Sequence, residues 1–227
     1  MSKSEQANVK RSNQRRILNK FVDLPVKLLI KHGFTPNILS FCGFFCSITV
    51  AVLLAWGGLH FPFPLAWIVP FVMFWAGAFD AFDGEVARRT GNISISGAFL
   101  DSNLDRLSDA AIILGLVMGG YFNYVIGYVI LFLIIMISYI RARAENEGID
   151  MKGVGFMERA ERLIIFWFAF IFEFWIYFLS NLFYGAPFRL FFPIFTVIFT
   201  GLLILTIIQR LLFSFKSLYK LEAHDKN

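Results

Sequence analysis

Residues 79–105, FDAFDGEVARRTGNISISGAFLDSNLD, decide how this chain folds. They set four aspartates, Asp80, Asp83, Asp101 and Asp105, among stretches apolar enough to lie in a bilayer. Insertion scales put one aspartate at the centre of a spanning helix at roughly 2.5 to 3.5 kcal/mol, so four together demand cations and a function. Helical residues three or four apart share a face, which predicts Asp80 with Asp83 on one helix and Asp101 with Asp105 on the next. Opposed, the two faces make a four-carboxylate cage. Hard oxygen ligands suit magnesium, manganese or calcium, and two divalent ions about 3.5 to 4 Å apart are a recurrent device for phosphoryl chemistry. Gly84 lets a ligand approach the backbone, and Arg88, one turn on, offers a planar fork to phosphate oxygens.

The rest of the chain fits a membrane setting. Its 227 residues are 58% hydrophobic, include 29 phenylalanines and have a mean hydropathy of +0.67. Such long apolar runs exclude a soluble domain and indicate an all-α polytopic membrane protein. The net charge of +5 resides in lysines and arginines that flank the apolar runs. That placement favours anionic lipid heads and phosphorylated substrates over nucleic acid. Cys42 and Cys46 lie four apart in one apolar run, which suits packing on one helical face and neither a disulfide framework nor a zinc site. Residues 1–30 contain no apolar h-region, so no cleavable signal is expected.

Taken in order, residues 1–34 form a cytoplasmic basic arm with an interfacial helix, and 35–227 a domain of six transmembrane helices. Residues 1–12 are polar. Residues 13–32 mix apolar side chains with Arg15, Arg16, Lys20, Lys27 and Lys31, the pattern of an amphipathic helix lying in the interface, kinked or restarted at Pro25. The expected spans run about Ile38–Gly57, Leu65–Arg89, Ile95–Gly120, Val125–Ala144, from near Phe156, and Leu190–Phe213. Gly97 faces the start of the aspartate pair on the third span, where a small residue allows close helix approach or room for substrate. Gly115, Gly119 and Gly120 would permit further close contacts. Of the 21 lysines and arginines, Arg106 lies in the third span and Arg189 beside the last outer loop; the other nineteen cluster at one side. By the positive-inside rule that side is cytoplasmic, with both termini and the aspartates facing it. His32, His60 and His224 fall outside the cluster and are expected to be structural.

Written as a pattern, the opening stretch is D-x2-D-G-x2-A-R-x8-G-x3-D-x3-D, filled by Asp80, Asp83, Gly84, Ala87, Arg88, Gly97, Asp101 and Asp105 without a departure. It resembles the signature of the CDP-alcohol phosphotransferases, membrane enzymes that join the phosphatidyl part of a CDP-linked lipid to an alcohol and release CMP. The resemblance implies two Mg2+ (or Mn2+) ions on Asp80, Asp83, Asp101 and Asp105, with Asp105 as the general base. It implies a CDP-lipid site that includes Gly84, Ala87, Arg88, Gly97, Thr35, Asn37 and Ser94, with Pro36 shaping the turn. Taken alone, Thr35-Pro36 is an ordinary helix start and Ser94 an ordinary N-cap. A homodimer is also implied.

The acceptor alcohol is read from cations. Arg141, Arg162 and Arg210 come from three spans yet can converge at one depth, and three guanidiniums suit a phosphorylated alcohol better than a neutral polyol. RARAE, ERAER and the late QR pair are similar to the branch that makes phosphatidylinositol phosphate, or archaetidylinositol phosphate, from inositol 1-phosphate. In that branch the positions matching Arg141, Arg162 and Arg210 form the phosphate pocket. The competing reading of each arginine is interface anchoring or pairing with Glu145, Glu158 or Glu161, the role best suited to Arg143 and Arg159. Glycerol 3-phosphate is the rival acceptor, and an intramembrane prenyltransferase is a rival class whose acidic patches are spaced otherwise. A cation transporter is the non-enzymatic rival; against it, no acidic residues are expected in the outer halves of the spans. An orientation test follows: a reporter fused after Asn227 should be active in the cytoplasm, and activity only outside would contradict the topology.

Overall fold

The computed structural model describes residues 22–188 and 190–225, except for the side chains of 224 and 225. The expected basic arm, residues 13–21 of the amphipathic segment, Arg189 and the side chain of His224 lie outside the described residues. Every regular element among the described residues is helical. Helix α1 covers 22–31, α2 Pro36–Ala55, α3 Ile68–Thr90, α4 Ile95–Met118, α5 Tyr124–Asn146, α6 Arg159–Tyr184 and α7 Phe191–Asp225. Five stretches are long and apolar enough to cross a membrane: α2, Leu65–Thr90 with its leading 3-10 turn, α5, α6 and Phe191–Ala223. Helix α4 has 24 residues, as many turns as its neighbours, but Asp101, Asp105, Arg106 and Asp109 keep it out of that set. Composition thus identifies five spans where the sequence pattern led us to expect six.

Local chemistry sets the helix boundaries. Thr35 caps α2 by accepting from the Ile38 amide at 3.4 Å, with Pro36 at the first helical position; Ser94 caps α4 by accepting from the Gly97 amide at 3.0 Å. Gly91, at φ 70°, ends α3 in a left-handed conformation that a side chain would resist. The short turn after it returns the chain, so the aspartates of α4 face those of α3. Helix α6 begins at Arg159 rather than near Phe156, because residues 152–158 form turns between the two helices. Helix α7 runs past Phe213 to Asp225, and Ser214 meets Met151 of the α5–α6 connection at 3.7 Å.

The helices pack α2 against α3 and α4, α4 against α5, α5 against α7, and α3 against α6. Leu54, Met73, Ile113, Ile134, Phe170 and Phe199 are among the buried side chains of the main core. A smaller cluster of Val26, Leu39 and Val86 seats α1 on α2 and α3, and α1 continues unbroken across Pro25. Gly115 and Gly119 serve contacts within the chain: a Cβ at Gly115 would lie 2.8 Å from the Ala51 Cα, and one at Gly119 3.0 Å from the Leu54 carbonyl carbon. Cys42 and Cys46 are free and half-buried, as packing residues should be.

A further expectation fails. An acidic residue does occur in the outer half of a span: Glu173, 2% exposed on α6, whose carboxylate lies 2.8 Å from the His60 imidazole. His60 also stacks on Tyr177 at 4.1 Å, so this histidine is structural as expected, but its partner is a buried acid. A lone glutamate in an apolar helix requires such a partner, and the connection between α2 and α3 supplies it. The packing at Gly115 is open to test. Gly115→Ala should lower the melting temperature of the detergent-solubilised protein, at a cost of about 1–3 kcal/mol for overpacking. Gly201→Ala, whose Cβ would meet nothing within 4 Å, should be neutral or slightly stabilising. An unchanged Tm for Gly115→Ala would contradict the close approach.

Candidate active site

Helix α3 carries Asp80 and Asp83, and α4 carries Asp101 and Asp105. One carboxylate oxygen from each of Asp80, Asp101 and Asp105 lies within 4.8 Å of the other two. Such a trio of hard donors fits Mg2+ or Mn2+ better than a thiophilic metal. Asp83 stands apart from it: its Oδ2 accepts from the Ser40 hydroxyl of α2 at 2.7 Å, and the residue is buried. All four nonetheless line one small void. The expected cage therefore exists as a tight trio with the fourth carboxylate turned toward α2.

Sequence reasoning misassigned Arg159. Rather than anchoring at the interface or pairing with a neighbouring glutamate, its guanidinium reaches from α6 to hydrogen-bond Asp80 and ion-pair with Asp105, the latter at 2.8 Å. Arg143 is a peripheral cation, but it pairs with Glu147 at 2.5 Å rather than with Glu145, Glu158 or Glu161. Asp109 was also missed. It is buried one turn beyond Asp105 and accepts from Arg162 at 2.7 Å. The signal for both was the spacing: Asp105 and Asp109 lie four apart, Arg159 and Arg162 three apart, so each pair shares a helix face.

On one side of the trio lies a cavity of about 300 Å³. Pro36, Asn37, Gly84, Ala87, Arg88, Ser94 and Gly97 line it together with Asp83 and Asp101, so the structure gathers seven of the eight residues expected to meet a CDP-lipid. Thr35 is the exception and acts as the α2 cap. Gly97 is small because a Cβ there would lie 2.8 Å from Ser94 Oγ and 3.4 Å from Asn37 Oδ1. Arg88 is held by Glu85, with its Nη2 donating at 2.7 Å, and Arg89 bridges Glu85 at 2.8 Å and Asp23 of α1 at 2.6 Å. Hydrogen bonds from Lys27 and Arg89 hold the Asp23 carboxyl below the usual carboxylate range. Helix α1 is thereby tied to the rim of this cavity.

On the other side lies a cavity of about 420 Å³ in which Arg141, Arg162 and Arg210 converge, as their positions suggested. Asp101, Asp105 and Arg159 form the wall toward the trio. Arg210 is 2% exposed and donates to two backbone carbonyls, Val154 at 2.9 Å and Ile137 at 2.7 Å, with its paired acid Glu158 at 4.0 Å. Arg162 is 3% exposed, and its Nε is buried with no partner. Arg141 pairs with Glu145 at 2.9 Å while still lining the cavity. Backbone carbonyls fix the Arg210 plane without neutralising its charge, so an anion remains favourable there.

The chain is similar to proteins that are already known. A model of the CDP-alcohol phosphatidyltransferase family matches residues 34–213. An archaetidylinositol phosphate synthase of Pyrococcus horikoshii is 38% identical over 149 residues, 65% of this chain and 74% of that protein. One from Methanothermobacter thermautotrophicus is 50% identical over 90 residues, 40% of this chain and 46% of that protein. A phosphatidylinositol phosphate synthase of Mycobacteroides abscessus is 37% identical over 149 residues, 60% of this chain and 62% of that protein. The matches to the last two thus span less than two thirds of those proteins. The crystal structure of the Mycobacterium tuberculosis phosphatidylinositol phosphate synthase with CDP-DAG bound superposes with a TM-score of 0.66 at 28% identity, covering 85% of this chain and 92% of that one. The same enzyme with manganese and citrate gives 0.67 at 28% identity, covering 86% and 88%. The chain belongs to the CDP-alcohol phosphatidyltransferase family.

Proposed function

We propose that this chain transfers the phosphatidyl or archaetidyl group of a CDP-linked lipid to inositol 1-phosphate, releasing CMP and forming an inositol phosphate phospholipid. The observation that carries this reading is the cavity of Arg141, Arg162 and Arg210, which shares a wall with Asp101 and Asp105. Its three guanidiniums suit a phosphate on the acceptor, and an acceptor held there would have its hydroxyl near a carboxylate of the shared wall. The names of the related synthases support the choice of inositol phosphate over glycerol 3-phosphate.

In this reading Asp80, Asp83, Asp101 and Asp105 would hold two ions of Mg2+ or Mn2+. The metal supplies charge stabilisation to a pyrophosphate and to the phosphorus that is attacked. The manganese of the related M. tuberculosis structure supports that assignment. Gly84, Ala87 and Gly97 leave room for the nucleotide phosphates, Arg88 donates to them, and Asn37 and Ser94 meet the cytidine side. Asp105 accepts the proton of the incoming hydroxyl as its oxygen attacks the lipid-side phosphorus, and the bond to CMP breaks. Arg210 and Arg162 orient the acceptor phosphate from positions fixed by backbone carbonyls and Asp109.

The membrane arrangement belongs to the same reading. Helix α4 spans as a sixth segment because its charges face the aspartate void and the arginine cavity, with lipid meeting Phe99, Leu107 and Leu114, each more than half exposed. Helix α1 lies in the cytoplasmic interface, both termini are cytoplasmic, and two chains pair as a homodimer. The cation-transporter alternative has little support, because Glu173, the acid in the outer half, is engaged by His60.

An acceptor screen tests the assignment. Purified protein with CDP-lipid and Mg2+ should release CMP fastest with inositol 1-phosphate, and a preference for glycerol 3-phosphate, inositol, glycerol or serine would overturn the acceptor assignment. Asp105→Asn should abolish turnover while CDP-lipid still binds, and near-normal turnover would remove it as base. Alanine at Arg141, Arg162 or Arg210 should raise KM for the acceptor far more than KM for CDP-lipid; equal losses would indicate a structural role.

A further inference from the structure

Arg159 occupies a place that neither half of the proposed reaction requires. It starts α6, yet its Nη1 lies between carboxylates of two other helices, hydrogen-bonded to Asp80 on α3 and 2.8 Å from Asp105 on α4. The other cation paired with the trio, Arg106, lies 4.0 Å from Asp105 and donates instead to the Ser102 carbonyl. Among the described residues, then, Arg159 alone lies within 3 Å of these carboxylates, and it supplies the positive charge that lets them pack together. Those are the same oxygens whose mutual separation, within 4.8 Å, suits a divalent ion. A guanidinium hydrogen and a metal compete for the same lone pairs, and two cations at that separation repel.

Three features show where the side chain would go. Arg159 lines the small void among the four aspartates and also the cavity of Arg141, Arg162 and Arg210. Its Nε is buried without a hydrogen-bond partner, so the guanidinium is held in its present direction through Nη1 and no hydrogen bond at Nε would be lost on turning. It shares a helix face with Arg162, three residues on, which already lines the arginine cavity. Because Arg159 lines both voids, a change of its side-chain torsions would carry the guanidinium from one toward the other.

We propose that Arg159 is an internal counter-ion of the metal site: it bridges Asp80 and Asp105 in the metal-free protein, and metal loading turns it into the arginine cavity as a fourth donor for the acceptor phosphate. The inference rests on the metal-binding reading of the aspartates given above. Its consequence is an order of events, in which the acceptor cavity reaches full positive charge only after the metal site is filled. By linkage, metal and acceptor phosphate then favour each other even with no CDP-lipid bound.

Metal-stripped full-length protein in detergent provides the test, with Mn2+ binding read by electron paramagnetic resonance and calorimetry, and Tm measured with and without Mn2+. Arg159→Ala should bind Mn2+ at least about tenfold more tightly than wild type, because the competing cation is gone. Its metal-free Tm should fall and its Mn2+-induced rise in Tm should grow, while Arg159→Lys, which keeps a cation, should lie closer to wild type on both. Inorganic phosphate, used as probe without CDP-lipid, should gain more affinity from Mn2+ in wild type than in Arg159→Ala. Unchanged or weaker Mn2+ binding by a cooperatively melting Arg159→Ala protein would overturn the proposal. If Asp101→Asn abolishes Mn2+ binding and Arg159→Ala leaves it unchanged, only the counter-ion role fails. If Asp101→Asn has no effect on Mn2+ binding, the metal reading itself fails and the counter-ion role fails with it.

Discussion

The structure depends on compensating the negative charge of Asp80, Asp83, Asp101 and Asp105 inside an apolar helix bundle. Each such carboxylate would cost several kcal/mol if left unpaired in a bilayer. The chain answers with partners drawn from every side: Ser40 from α2 for Asp83, Arg159 from α6 for Asp80 and Asp105, and Arg162 from α6 for the neighbouring Asp109. Helices α2, α3, α4 and α6 are thus joined through polar contacts as well as apolar packing. The same contacts bring oxygen donors close enough to serve a divalent cation.

Around this centre the two cavities divide the work. The one toward α2 is lined by small residues and by Arg88, and in the proposed function it takes the CDP-lipid. The one toward α5 and α7 is walled by arginines whose planes are fixed by backbone carbonyls and by Asp109. Asp101 lines both, so in the proposed reaction a ligand in either cavity would meet the same carboxylate cluster. Such positioning removes much of the entropic cost of bringing two reactants together. Helix α1 adds a brace at the rim through Asp23 and Arg89.

Much of this was legible from spacing. The three- and four-residue intervals of the aspartates gave the two opposing faces, Ser94 gave the cap of the second, and the convergence of Arg141, Arg162 and Arg210 followed from their positions near the same ends of three helices. Helix periodicity is local, so it carries that far. The role of Arg159 was not legible, because its choice between Glu158, Glu161 and the aspartates is decided by how α6 packs on α3. Asp83 could not be separated from the trio for the same reason, since Ser40 lies on another helix. Glu173 was legible in part: an acid in the apolar run FWFAFIFEFWIYF, residues 166–178, signals a buried partner, although nothing local names His60. Helix α4 shows the limit of composition, which discounts a helix whose charges are turned inward.

The central claim is that intramembrane carboxylates from α3 and α4 hold divalent metal between the two cavities. Anomalous scattering at the manganese edge, from crystals of the protein grown with Mn2+, tests it most directly. A peak within about 2.5 Å of oxygens from Asp80, Asp101 and Asp105 is expected for oxygen-ligated manganese. Density that leaves those carboxylates bare, with manganese bound elsewhere or nowhere in the bundle, would contradict it.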